Sequence, residues 1–112
     1  MTKPKGQGVG QARLDFPEDR VAEFCRRHHI RRLALFGSVL RDDFTAESDV
    51  DVLVEFAPGK TPGLAFITIQ DELSEIFGRR VDLHTFSGIE RSRNWLLREE
   101  ILKTAEIQYE QA

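Results

Sequence analysis

The sequence predicts an α/β chain in which a small sheet is layered against helices. Three observations carry that expectation: apolar residues recur at helical spacing in three separate stretches, short runs rich in valine, leucine and phenylalanine lie between them, and Gly, Pro or charged clusters punctuate the joins. The first helix is announced by Asp15 and Glu18 at capping-box spacing, with Pro17 in the first turn. Val21, Phe24, Cys25 and His28 then return every three or four residues. Leu33-Ala34-Leu35-Phe36 is an apolar run stopped by Gly37, which suits a strand covered on both faces. Ser38 to Arg41 reads as a short helix or turn. Val50, Val52, Val54 and Phe56 alternate strictly and mark a strand over 49–56. Thr61-Pro62 is placed as cap and first residue of a helix whose stripe is Phe66, Ile69, Leu73, Ile76 and Phe77, ended by Gly78. Residues 79–85 form a third short strand. Ser87 and Glu90 then open a last helical region in which Leu97, Ile101, Ala105 and Tyr109 step by four. Trp95, Leu102 and Tyr109, seven apart, would form an apolar strip on that helix.

With 112 residues, 40% of them apolar and 31% charged, the chain has room for one domain. Residues 1–14, with glycines at 6, 8 and 10, lack periodicity and read as a flexible tail before a domain over 15–112. Sixteen Lys and Arg against 19 Asp and Glu give a net charge of −3, so a strong, sequence-independent grip on nucleic acid is not expected. Cys25 is the lone cysteine, which excludes an internal disulfide and a four-thiolate zinc site. Apolar runs stop at about five residues, far from the ~20 of a membrane span, and no secretory leader follows the start. The expected location is the cytoplasm. Cys25 itself reads as a small buried hydrophobe. His28, His29 and His84 have no partners at zinc-site spacing. The arginine pairs at 26–27, 31–32 and 79–80 read as solvated, with an arginine cluster near the site mouth that receives phosphates or RNA as the alternative.

The chemistry concentrates around two acids. Asp49 and Asp51 point to one face of their strand, about 6.6 Å apart at ~3.3 Å per residue, while the valines point to the core. Two carboxylates held that way call for a cation, and oxygen donors on a rigid strand suit Mg²⁺, which keeps several waters and borrows substrate phosphates. Asp82, bracketed by Val81 and Leu83 in the third strand, is the candidate third ligand, with an ion pair to Arg79 or Arg80 as the plain alternative. Gly37 permits close approach of an anion to the backbone, and Ser38 adds a hydroxyl. Arg41 lies three residues on, within reach of a phosphate, of the acids, or simply of Asp42 and Asp43. Ser48 reads as a turn residue donating to nearby backbone.

Gly37-Ser38-x-x-Arg41, followed by Ser48-Asp49-Val50-Asp51-Val52-Leu53-Val54, resembles the signature of the DNA polymerase β superfamily in its minimal nucleotidyltransferase (MNT) branch, over roughly residues 17–110. The resemblance implies a polymerase-β-like nucleotidyltransferase palm, an α+β fold with a small mixed sheet. It implies ATP as nucleotide donor and Mg²⁺, in two ions, as cofactor. Asp49 and Asp51 would be metal ligands, Asp82 a third ligand or base, and Gly37 and Ser38 the triphosphate holders. Many members have glycine after the arginine; this chain has Asp42. Small MNT proteins commonly accompany an all-helical HEPN RNase toxin, and several act as antitoxins that attach AMP to a toxin tyrosine. That adenylyltransferase antitoxin is the expected function, with a HEPN toxin as partner and a homo- or hetero-oligomer as a possible assembly. Two alternatives stand beside it: an MNT-fold protein, weak or inactive as a catalyst, that silences the toxin by binding alone, and a transferase acting on a small molecule or an RNA end.

Overall fold

The computed structural model describes residues 17–40, 44–45 and 47–111. The expected tail over 1–14 and the Asp15 cap lie outside them, as do Arg41, Asp42 and Asp43. Among the described residues nine elements follow in order: α1 (Glu18–Arg27), β1 (Ile30–Phe36), a 3₁₀ turn (Gly37–Leu40), β2 (Val50–Phe56), α2 (Ala65–Phe77), β3 (Val81–Thr85), α3 (Phe86–Glu90), α4 (Trp95–Thr104) and β4 (Glu106–Glu110). The four strands form one mixed sheet in the order β3-β2-β1-β4. β1 runs antiparallel to both β2 and β4, whereas β2 and β3 are parallel and joined through α2.

The alternation of β2 sets which face is which. Val50, Val52, Val54 and Phe56 turn toward α1 and α2, where they meet Val21, Phe24 and Cys25 of the first helix and Ile69 and Leu73 of the second. Leu33 and Leu35 of β1 and Val81 and Leu83 of β3 complete this core. Each such aliphatic side chain contributes about 1.5–3 kcal/mol when fully buried. On the opposite face a smaller cluster gathers Ala34, Phe36 and Leu53 under Phe86 of α3 and Ile101 of α4. Asp51 and Glu55 alternate with Leu53 on that second face.

Several elements depart from the sequence reading. Pro17 is the N-cap of α1, with no side-chain cap bond, rather than a first-turn residue. α2 begins at Ala65 behind Leu64, so Thr61-Pro62 belongs to the preceding loop; its end does match, because Gly78 takes φ 69° in the left-handed region. The largest correction is at the C-terminus, where one expected helix is two helices and a strand. Thr85, still extended, accepts from the Gly88 backbone N–H at 2.9 Å and so caps α3 in place of Ser87. Asn94 caps α4 the same way through Leu97 N–H at 3.1 Å. At Ala105 the backbone turns extended (φ −60°, ψ 140°) and Glu106–Glu110 pairs with the open edge of β1. Tyr109 therefore packs on the main core from a strand, and no seven-residue strip with Trp95 and Leu102 exists. What α4 does expose is Trp95, Leu96 and Leu97 in succession. Among the described residues no helix is long and apolar enough to cross a membrane.

Candidate active site

The parallel pairing of β2 with β3 sets Asp51 directly beside Asp82. Register partners on neighbouring strands lie ~4.8 Å apart and point to the same side, so the two carboxylates share the second face of the sheet. Both are half-buried. One step upstream, Val50 N–H donates to Arg80 C=O at 2.9 Å, carrying the pairing back toward Asp49, whose Oδ2 stands 3.9 Å from Arg80 Nε. Arg80, with 78% of its side chain exposed, is a long, solvated cation beside Asp49, while Asp82 makes no ion pair with either arginine among the described residues.

The turn after β1 meets the same acids from the other side. Phe36 pairs with Asp51 across β1 and β2, and Gly37 follows it at φ 79°. A Cβ at residue 37 would overlap the Asp51 carboxylate, so glycine is required here both by the backbone angle and by the acid it faces. The backbone of Ser38 continues into the 3₁₀ turn; its side chain and the whole of Arg41 lie outside what the structure describes.

Two further features were not visible as site components in the sequence. Arg79, read as solvated, donates from Nη1 to the carbonyls of Thr45 and Ser48, each at 3.2 Å, and its guanidinium lies 4.7 Å over the Phe44 ring. It thus pins the segment from which Asp49 emerges. Within that segment Ser48 accepts from Thr45 N–H at 3.0 Å, so its hydroxyl serves local backbone as acceptor where donation was expected. The second feature is a cleft of about 360 Å³ beside Asp51, with Phe36, Gly37 and Leu40 on one side and Leu97, Glu100, Ile101 and Thr104 of α4 on the other. Only its position in space marks α4 as a wall of this site.

The donor set suits a hard divalent cation. Among the described residues no three His, Cys, Asp or Glu side chains are gathered closely enough to hold a metal unaided. A pair of carboxylates that relies on substrate phosphates to finish the coordination shell is the arrangement Mg²⁺ favours. His84, two residues beyond Asp82, turns its ring edge-on to Phe36 at 5.5 Å and lines the same face. Cys25 is far from this chemistry in kind: burial pushes its thiol up to about 12, so it offers no thiolate at neutral pH.

A strand ending in a glycine turn, acids paired on adjacent parallel strands and a cleft beside one of them are the features a nucleotidyl-transferring enzyme of this fold would use. The chain matches the nucleotidyltransferase domain family over residues 18–107, belongs to that family, and is a nucleotidyltransferase. It is 37% identical over 86 residues to a Methanocaldococcus jannaschii protein that carries the name of a protein adenylyltransferase, covering 77% of this chain and 87% of that one. It is 39% identical over 62 residues to the protein adenylyltransferase MntA of Thermococcus cleftensis, covering 54% and 61%. Among solved structures it resembles a minimal nucleotidyltransferase at TM-score 0.61 and 34% identity, over 79% of this chain and 85% of that one. A toxin–antitoxin complex with AMP-PNP shares the fold at TM-score 0.66 and 19% identity, over 86% and 75%.

Proposed function

We propose that this protein is a Mg²⁺-dependent protein adenylyltransferase, the MNT antitoxin of a HEPN toxin, transferring AMP from ATP to a tyrosine hydroxyl of that toxin. The observation that carries this reading is the register pairing of Asp51 with Asp82 beside the glycine turn at 37. Two of the likenesses support the choice of acceptor. The T. cleftensis relative is named a protein adenylyltransferase, and a structure of the same fold shows a tri-AMPylated HEPN toxin of Shewanella oneidensis in complex with its MNT antitoxin.

In this mechanism Asp51 and Asp82, joined by Asp49 from the start of β2, would hold Mg²⁺. Bound there, the metal supplies charge neutralisation for the triphosphate and the departing pyrophosphate. Gly37 lets the triphosphate come close to the backbone, and Ser38 and Arg41 are assigned to its β- and γ-phosphates. The acceptor oxygen bonds to the α-phosphorus as the α–β bridge breaks, and Asp82 receives the hydroxyl proton on its carboxylate. Catalysis is then positioning and charge compensation with no covalent enzyme intermediate. Because the domain has little surface beyond the sheet and its helices, the acceptor brings its own docking area, on the order of 800 Å² per partner. A cytoplasmic location is part of this proposal and is in keeping with a nucleoside triphosphate donor.

The test is incubation of the protein with ATP, Mg²⁺ and its helical partner, followed by intact mass spectrometry. The expected result is one or more AMP increments on the partner, absent with Asp51→Asn. Neutralisation of the toxin without any increment, equal for wild type and Asp51→Asn, would replace transfer by inhibition through binding alone.

A further inference from the structure

The cleft beside Asp51 has two chemically different walls. On one side stand the glycine turn and its backbone, suited to anions. On the other stands α4, which lines the cleft with Leu97, Glu100, Ile101 and Thr104, one carboxylic acid among two apolar residues and a hydroxyl. That hydroxyl donates to the Glu100 backbone carbonyl at 2.7 Å, so Thr104 is occupied within its own helix and Glu100 is the polar group left to meet a ligand from this wall. A carboxylate repels phosphate oxygens and accepts from hydroxyls and amines. Leu97, half-exposed, and Leu40, half-buried, both line the cleft and leave apolar area for a flat ring to cover. The volume, about 360 Å³, falls in the range of small-molecule sites.

We infer that α4 is the nucleoside wall of the site: Glu100 accepts hydrogen bonds from the nucleoside's donors, either a ribose hydroxyl or the exocyclic amine of adenine, and Leu40 and Leu97 enclose the base. The inference rests on the nucleotidyltransferase reading and fixes which way round the triphosphate lies, with its phosphates at Gly37 and its nucleoside against α4. Glu100 and Leu97 are then specificity-determining residues supplied by a helix outside the sheet.

The test is calorimetric binding, in the presence of Mg²⁺, of ATP, dATP, GTP and inorganic tripolyphosphate to wild type, Glu100→Ala and Leu97→Ala. Both positions are exposed on a helix, where alanine is well tolerated. Glu100→Ala is expected to weaken ATP about tenfold, the value of one hydrogen bond to a charged group, and to leave tripolyphosphate as tight or tighter. Loss of discrimination against dATP places the carboxylate on the ribose, and loss against GTP places it on the base amine. Leu97→Ala is expected to weaken ATP and spare tripolyphosphate. Unchanged ATP affinity and selectivity in Glu100→Ala would overturn the inference. Wild type that binds tripolyphosphate as tightly as ATP would also overturn it, while leaving the transferase reading intact. Wild type that binds neither would sink both.

Discussion

The two faces of the sheet are built from the same strands yet are sealed to different degrees. Under α1 and α2 the strands present valine and leucine that are fully buried, and the helices close over them. Under α3 and α4 the cover is partial: Phe86 and Ile101 protect Ala34, Phe36 and Leu53, and the sheet then opens at Asp51 and Asp82. Alternation along one strand therefore does two jobs, since β2 drives valines into the core and holds carboxylates at the cleft. On the proposed reading the first face carries stability and the second carries the chemistry, and the following substitutions should separate them.

The largest effects are expected at the acids. Asp51→Asn or Asp82→Asn should lower nucleotidyl transfer about 10³-fold, on the scale seen when one charge-stabilising group is removed, with little change in Tm because neither side chain is fully buried. A matching loss of Tm would instead place these acids among the structural residues. On the sealed face the pattern reverses. Leu73→Ala, at a fully buried position, should cost about 2–5 kcal/mol in urea unfolding, and Ile101→Ala, at the rim of the cleft, should fall at or below the lower end of that range. Equal costs would mean that α4 closes as tightly as α2.

Smaller effects are expected from Arg79, which ties the segment before Asp49 to β3. Arg79→Met keeps a long apolar stem over Phe44 but removes the bonds to Thr45 and Ser48. It should cost about 1 kcal/mol of stability and about tenfold in transfer, through kcat more than through KM for ATP. Smallest of all are two carboxylates that titrate in opposite senses. The Arg27 guanidinium, then His28, beside Glu72 holds its carboxyl below the usual range against a counteracting effect of burial. Its contribution is full above the ordinary carboxylate value and is lost as pH falls through the lowered one, so Glu72→Gln should lower Tm at pH 7 and matter less in acid. Burial pushes the Glu106 carboxyl up, and Oε1 has no hydrogen-bond partner among the described residues. Ionising it costs stability at neutral pH, so Glu106→Gln should raise Tm slightly at pH 7, with the gain vanishing once the carboxyl is protonated in both states. Thermal melts from pH 3 to 8 check both signs.

The strands and their acids were legible in the sequence because β2 alternates without interruption and because a glycine after an apolar run marks a forced turn. The C-terminal third was not. Leu97, Ile101, Ala105 and Tyr109 keep a helical step, but the open edge of β1 recruits 106–110 into the sheet, and that competition is invisible to a local period. Arg79 read as a surface cation because its partners, Thr45 and Ser48, lie thirty residues away and meet it only through the parallel pairing of β2 with β3. Glu100 gave no signal at all, since a single acid on an exposed helix acquires meaning only when that helix is laid beside Asp51.

The central claim is that the carboxylates at 49, 51 and 82 converge to hold Mg²⁺ at the glycine turn when a triphosphate is present. A crystal structure with Mg²⁺ and AMP-PNP measures this directly. The account predicts carboxylate oxygens of Asp51 and Asp82 at about 2.1 Å from the metal, with the phosphates against Gly37; a nucleotide seated elsewhere, with either carboxylate turned away from the ion, would contradict it.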